Sequence, residues 1–411
     1  MPDTQSLNEI KDQLKISIRS NSDRGFVHYG GCLRVSTEMS SIIESAEALT
    51  DPVMTFDILI MVFKEAVKLI SHADDSSGTL GEVIRSCTSA IQQICQSEDE
   101  ANQGYFFETI IKTAKLKTVK DWPDFGYQLM EAVVFLVHDE KQVQKVFEVF
   151  ETLGRLYSGA KYPEEHVITY KLLKQLKGRE AADDYLTEHM DVDRLRVIAV
   201  EDALLEESYE KAEKLCVEAL RGGYNFQRRS KWADYLERIY TETGNQEKLA
   251  EIVYYILVHG HPDYYSRLRG LYEAARVWEQ KKEPLLLDLS KKLHSNDYAS
   301  VLEQAGETEK LLELLSVNKR LIVHYGKRVA RKYPEKTYSI FEEYIISQTV
   351  EATERRKYKE VCKLLKSYFD AGARQDCLQL IDRLCGMYPR RPAMLDEFGK
   401  LKKKLEKMGK A

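Results

Sequence analysis

The chain has 411 residues, 43 % of them hydrophobic and 31 % charged, with a formal net charge of −5 at pH 7. That balance excludes a disordered chain, and the low glycine and proline content leaves room for long helices. So small a charge over this length gives no general attraction to nucleic acid, and any such surface has to be local.

The length suits two or three domains, or one elongated stack whose core grows by repetition. Met1-Pro-Asp-Thr-Gln-Ser-Leu7 lacks the basic and apolar runs of a secretory signal, and no uncharged stretch reaches membrane-spanning length. Seven cysteines without CxxC spacing read as reduced thiols of a cytoplasmic protein. Cys87 with Cys95, and Cys377 with Cys385, lie two helical turns apart and so share a core face, with zinc ligation the lesser reading.

Leu7, Ile10, Leu14 and Ile18 follow helical spacing and predict a first helix over Ser6–Arg19. Asn21–Gly31 breaks it, and Ser36 or Thr37 caps a second helix through Ala48. Asp51-Pro52 opens a third, with Phe56, Ile60, Phe63, Val67 and Ile70 on its buried face. Further helices are predicted over Leu80–Cys95, Ala101–Lys115, Pro123–His138 and Lys141–Tyr157. Gly159 and Pro163 then mark a soft boundary between an amino-terminal helical subdomain, 1–157, and a repeat region, 158–411.

The repeat region predicts helices over Glu164–Leu176, Ala181–Met190, Val192–Leu205, Tyr209–Leu220, Arg228–Thr243, Gln246–Leu257, Pro262–Trp278 and Pro284–Leu293. Shorter ones follow, and Ala352–Phe369, Gln375–Met387 and Pro392–Met408 close the chain. No strand is predicted, because β-branched residues fall on helical periods.

One phrase recurs between these helices. Gly244-Asn-Gln-Glu-Lys-Leu249 returns as Gly306-Glu-Thr-Glu-Lys-Leu311, and in altered form as Glu207-Ser-Tyr-Glu-Lys-Ala212, Gly178-Arg-Glu-Ala-Ala182 and Gly372-Ala-Arg-Gln-Asp-Cys377. The 194 residues from Gly178 to Gly372 divide into six intervals of about 32, near the period of helix-turn-helix solenoids. Trp232, Tyr240 and Gly244, with small residues at Ala212, Cys216 and Ala219, match the packing of tetratricopeptide-like (TPR-like) units, although the Leu-Gly pair of the standard repeat is missing. The expected fold is all-α, an irregular TPR-like α-solenoid of stacked antiparallel helix pairs.

The Asp74-Asp-Ser-Ser-Gly78 loop after a long helix, Trp232…Tyr240…Gly244, His261-Pro-Asp-Tyr-Tyr265 with Leu268, and Tyr388-Pro-Arg-Arg-Pro392 together resemble the carboxy-terminal helical region of prokaryotic SWIM zinc finger proteins. The likeness extends over most of the chain. The zinc module of that family, a C-x-C pair followed by C-x-H, is missing from this sequence. The resemblance therefore implies the helical partner-binding portion and carries over no zinc ligand.

Candidate sites are few. Asp74, Asp75 and Ser76 before Gly78 invite a calcium reading, but an EF-hand register would put Ala73 and Ile84 at ligand positions, which leaves a capping turn or a partner contact. His259 and His261 with Asp263 are explained by a helix break around Gly260 and Pro262. Arg228 and Arg229 interleave with Tyr224, Phe226 and Trp232, a mixture that suits phosphate and base contact, although the aromatics also serve a repeat core. Tyr254, Tyr264 and Tyr265 are nominated to line a surface for a peptide. No phosphate-binding glycine motif and no catalytic set is present, so no cofactor, metal or enzyme activity is expected. The expected function is a non-catalytic protein–protein interaction scaffold. A nucleic-acid-associated accessory protein of a SWIM-type system is the alternative, with nucleic acid ranking below protein as a partner and no membrane.

Overall fold

Asp51 accepts hydrogen bonds from the Val53 and Met54 amides at 3.0 and 3.3 Å, and with Pro52 in the first turn it starts the most buried helix of the chain. The computed structural model describes residues 7–97, 100–222 and 230–409, and they are helical almost throughout. The chain divides into two compact units, Met1–Glu206 and Glu207–Ala411. The boundary expected after Tyr157 falls inside the first unit, where Leu153, Tyr162, Ile168 and Leu172 belong to one continuous apolar cluster.

The first unit holds α1 (Leu7–Ser20), a two-residue hairpin of β1 (Ser22–Asp23) and β2 (Phe26–Val27), α2 (Tyr29–Glu47), α3 (Pro52–Ile70), α4 (Thr79–Ser97) and α5 (Glu100–Ala114). It continues with α6 (Lys117–Lys120), α7 (Pro123–Met130), a 3-10 turn (Glu131–Phe135), α8 (Glu140–Leu153), α9 (Pro163–Leu176), α10 (Arg179–Glu188) and α11 (Asp193–Leu205). Helices α1, α2, α4, α5 and α6 all pack on α3. That explains why Phe56 and every residue from Ile58 to Phe63 are buried, with Phe56 stacked on Phe106 at 4.1 Å. Each such apolar side chain contributes roughly 1.5–3 kcal/mol on burial.

The second unit is a succession of neighbours. It comprises α12 (Tyr209–Gly222), α13 (Lys231–Glu242), α14 (Gln246–Val258), α15 (Tyr265–Ala274), α16 (Trp278–Lys292) and α17 (Ser295–Ala305). Then come α18 (Thr308–Val317), α19 (Ile322–Val329), α20 (Pro334–Glu351), α21 (Arg355–Asp370), α22 (Arg374–Met387) and α23 (Pro392–Gly409). Each of these helices packs on the next, and α15 on α17, α18 on α20, α19 on α21 and α21 on α23 add next-but-one contacts. This is the nearest-neighbour pattern of an irregular helical stack.

Several expectations are corrected. The second helix starts at Tyr29, ahead of Ser36 and Thr37, which lie in its interior. Gly31 permits this, because a Cβ there would meet the Asn21 carbonyl oxygen at 2.8 Å. The segment before it forms the small hairpin, whose Val27 also bridges to Ala73. Helix α7 gives way to a 3-10 turn at Glu131, where Val133 and Val134 are buried and β-branched side chains resist a regular helix. The helix expected over Pro262–Trp278 stops at Ala274, since Arg276 adopts φ +59°, and Pro284 sits inside α16 instead of opening it.

The recurring phrase has one structural meaning. Its first residue takes a positive φ in all five copies: Gly178 (+89°), Glu207 (+55°), Gly244 (+69°), Gly306 (+72°) and Gly372 (+113°). Each copy stands between one helix and the next with its first residue at positive φ, which glycine adopts without a Cβ clash; Gly306 is a left-handed αL cap, whereas Gly178 is at ψ 177°. Glu207 bears a cost of roughly 1–2 kcal/mol that the glycines avoid. Gly244→Ala is therefore expected to destabilise the protein by about 1 kcal/mol and Glu207→Gly to stabilise it by up to about 1 kcal/mol. Urea unfolding midpoints measure both, and shifts of the same sign would contradict the assignment.

Candidate functional site

The aspartates of the 74–78 loop are engaged within the chain. Asp75 accepts from the Leu80 amide at 2.9 Å through Oδ1 and from the Gly81 amide at 3.1 Å through Oδ2, capping α4. Asp74 Oδ1 accepts from the Ser76 amide at 3.2 Å, and the Asp74 amide donates to the Val27 carbonyl at 2.8 Å. The capping turn is thus the reading the geometry supports, with Ser76 exposed at its tip. The buried Cys32 thiol lies 3.8 Å from Asp75, and burial and that carboxylate both push its pKa up.

The nominated tyrosines are engaged within the chain. Tyr265 is 1 % exposed and meets Trp278 edge-on at 6.2 Å, which removes it as a contact residue: the apolar interior takes the second of two adjacent rings. Tyr264 donates to Glu237 Oε2 at 3.1 Å, and Arg267 pairs with the same buried carboxylate. Tyr254 donates to Asp288, and Lys292 reaches the tyrosine oxygen at 2.5 Å and the carboxylate at 3.2 Å.

This arrangement recurs. Tyr240 donates to Glu213 at 3.0 Å while Lys248 reaches the same oxygen at 2.5 Å, so α12, α13 and α14 meet at one carboxylate. Tyr368 donates to Glu342 Oε1 at 3.2 Å and Arg383 to Oε2 at 2.9 Å, joining α20, α21 and α22. In the first unit Tyr127 donates to Glu165 at 3.3 Å, with Arg155 at 3.1 Å and Lys161 at 2.9 Å on that carboxylate. A phenol, a carboxylate and a cation form a clasp across successive helices.

The basic cluster is only partly visible. Arg228 and Arg229, with Tyr224 and Phe226, lie outside the described residues. Trp232 is 2 % exposed, so its ring is core and not a stacking platform, while Lys231 lies 4.7 Å from that ring. His259 stacks on Tyr255 at 4.0 Å, and His261 is 4.0 Å from Asp263. Among the described residues no group of three or more His, Cys, Asp or Glu is arranged to hold a metal ion.

A feature the sequence reading missed lies between α8 and α9. Both helices pack on α7, and a slot of about 400 Å³ opens between them. Val143 and Phe147 line one side at i, i+4 spacing, and Leu172, Leu173 and Leu176 line the other. Phe147 is 42 % exposed. Glu140, Lys177 and the capping Asp139 stand at one end, where Gln175 Nε2 also donates to the Val137 carbonyl at 2.8 Å. The signal was present in those apolar spacings, but the same pattern describes any core-facing helix. A second groove, between α2 and α4, is polar, with Glu44 and Glu47 on its rim.

The clasps make stability sensitive to alkali. Burial first, and then the neighbouring carboxylate, hold the hydroxyls of Tyr127, Tyr240 and Tyr368 well above the ordinary tyrosine range, and burial pushes Tyr265 up to about 12. The folded state keeps these protons while an unfolded chain releases them near pH 10, so their stabilisation is complete below about pH 10 and is lost as pH rises beyond it. A subset of tyrosines is expected to develop phenolate absorbance at 295 nm only together with loss of helical circular dichroism. Complete ionisation of all tyrosines near pH 10 without unfolding would contradict the clasps.

No family model matches the chain, and no curated protein matches it. Among solved structures it is similar to a circular tandem repeat protein with novel repeat topology and enhanced subunit contact surfaces, at 17 % identity and a TM-score of 0.21, covering 98 % of this chain and 94 % of that one. It is also similar to a de novo designed 16-helix transmembrane nanopore at 11 % identity and a TM-score of 0.12, covering 97 % and 98 %. Among the described residues no helix is long and apolar enough to cross a membrane, and the fold stands on the chain's own geometry as an all-α helical repeat architecture.

Proposed function

We propose that this protein is a non-catalytic interaction scaffold of the cytoplasm, in which a stacked helical frame presents a preformed surface to a segment of another protein. The observation that carries this reading is the α8/α9 slot, where exposed Phe147 stands among half-buried Val143, Leu173 and Leu176 at helical spacing. A surface already ordered by its frame loses little entropy on docking, so more of the contact energy appears as affinity. The cysteines support the rest of the reading. Burial raises the pKa of Cys32, Cys87, Cys95, Cys362, Cys377 and Cys385, as suits inert thiols of a reducing compartment. Kinship with the helical region of SWIM zinc finger proteins belongs to the same proposal and rests on the sequence phrases alone.

The test is affinity capture from the cell that makes the protein, followed by reconstitution with the purified candidate and sedimentation of the mixture. A complex of fixed stoichiometry is expected. Absence of any complex, together with oligonucleotide binding that weakens steeply with added salt, would replace this reading with a nucleic-acid role.

A further inference from the structure

We propose that the α8/α9 slot receives one amphipathic helix of a partner protein, bearing apolar residues at i, i+4 and i+7 and a lysine or arginine beside the first of them. This deepens the scaffold reading and rests on it. The shape argument starts from the two walls. Val143 and Phe147 on α8 and Leu173 and Leu176 on α9 form ridges along single helix faces, with buried Leu172 between them. Both walls pack on α7. Two helical ridges flanking a slot provide the grooves into which a third helix packs its own ridge. The apolar lining favours helix-in-groove docking over an extended strand, because among the described residues no strand lines the slot to pair with one.

Charge selects the flank. Glu140, in the first turn of α8, is exposed at the mouth and makes no ion pair with any described residue. The Asp139 carboxylate beside it accepts only the Gln142 amide, at 2.8 Å, which leaves its second oxygen to face solvent. Among the lining residues at that end Asp139 and Glu140 stand against Lys177 alone, so the lining itself carries an excess of negative charge. A cation adjoining the leading apolar anchor complements it, and an acid there is repelled.

The probe is a fluorescein-labelled synthetic helix of about 15 residues with that leucine pattern and a lysine beside the first leucine, compared by anisotropy with its glutamate counterpart. The lysine peptide is expected to bind more tightly. Phe147→Asp and Leu173→Asp each weaken it about tenfold or more, and Glu140→Lys reverses the order of the two peptides. Circular dichroism checks that each variant folds, and Glu140→Lys, at an exposed position, keeps the test decisive if an apolar-to-acid change does not. Binding of neither peptide, binding indifferent to all three variants, or a preference of the native protein for the glutamate peptide would overturn the proposal. A captured partner that ignores the three variants would remove the slot while leaving the scaffold reading intact.

Discussion

A tyrosine ring packed between helices brings an apolar face into the core and leaves a hydroxyl at its rim that has to find an acceptor. In this protein the acceptor is repeatedly a carboxylate from an adjoining helix, and a half-buried carboxylate in turn requires a cation. Tyr240–Glu213–Lys248 and Tyr368–Glu342–Arg383 each draw three consecutive helices together, and Tyr127–Glu165–Arg155 ties α7 to α9 and to the segment that leads into α9. Non-directional apolar packing allows helices to slide and rotate. A clasp with three fixed polar partners does not, so it sets the register of each helix on the next.

The clasps also account for several of the 24 tyrosines of this chain. Tyr254 and Tyr264 are occupied by Asp288 and Glu237, and Tyr265 and Trp232 are core. The exposed apolar surface that is lined on both sides at helical spacing lies elsewhere, at Phe147 and its neighbours across the slot. Aromatic richness in this chain serves cohesion, and the docking groove proposed above is lined by Phe147 and a set of aliphatic side chains.

Much of the helical plan was legible because local chemistry determined it. Asp51-Pro52 and Asp75 act on amides only a few residues away, and the recurring Gly-x-x-Glu-Lys-Leu phrase encodes a turn at positive φ that any reader of backbone sterics can expect. What escaped depends on atoms distant in sequence. Gly31 is inside a helix because the Asn21 carbonyl approaches it, and Pro284 remains helical within α16. The slot is illegible for the same reason: Val143, Phe147 and Leu173 carry an ordinary core pattern, and only the placement of α7 beneath both helices leaves them open. The acidic partners of the clasp tyrosines lie from 26 to 38 residues away, so the clasps have no local signature.

The central claim is that phenol, carboxylate and cation act as one unit in holding successive helices. A double-mutant cycle with Tyr368→Phe and Glu342→Gln tests it most directly, since phenylalanine keeps the ring and glutamine keeps the shape. The account predicts a coupling of about 1 kcal/mol or more in the unfolding free energy. Losses that add to within about 0.3 kcal/mol would show two independent side chains and contradict it.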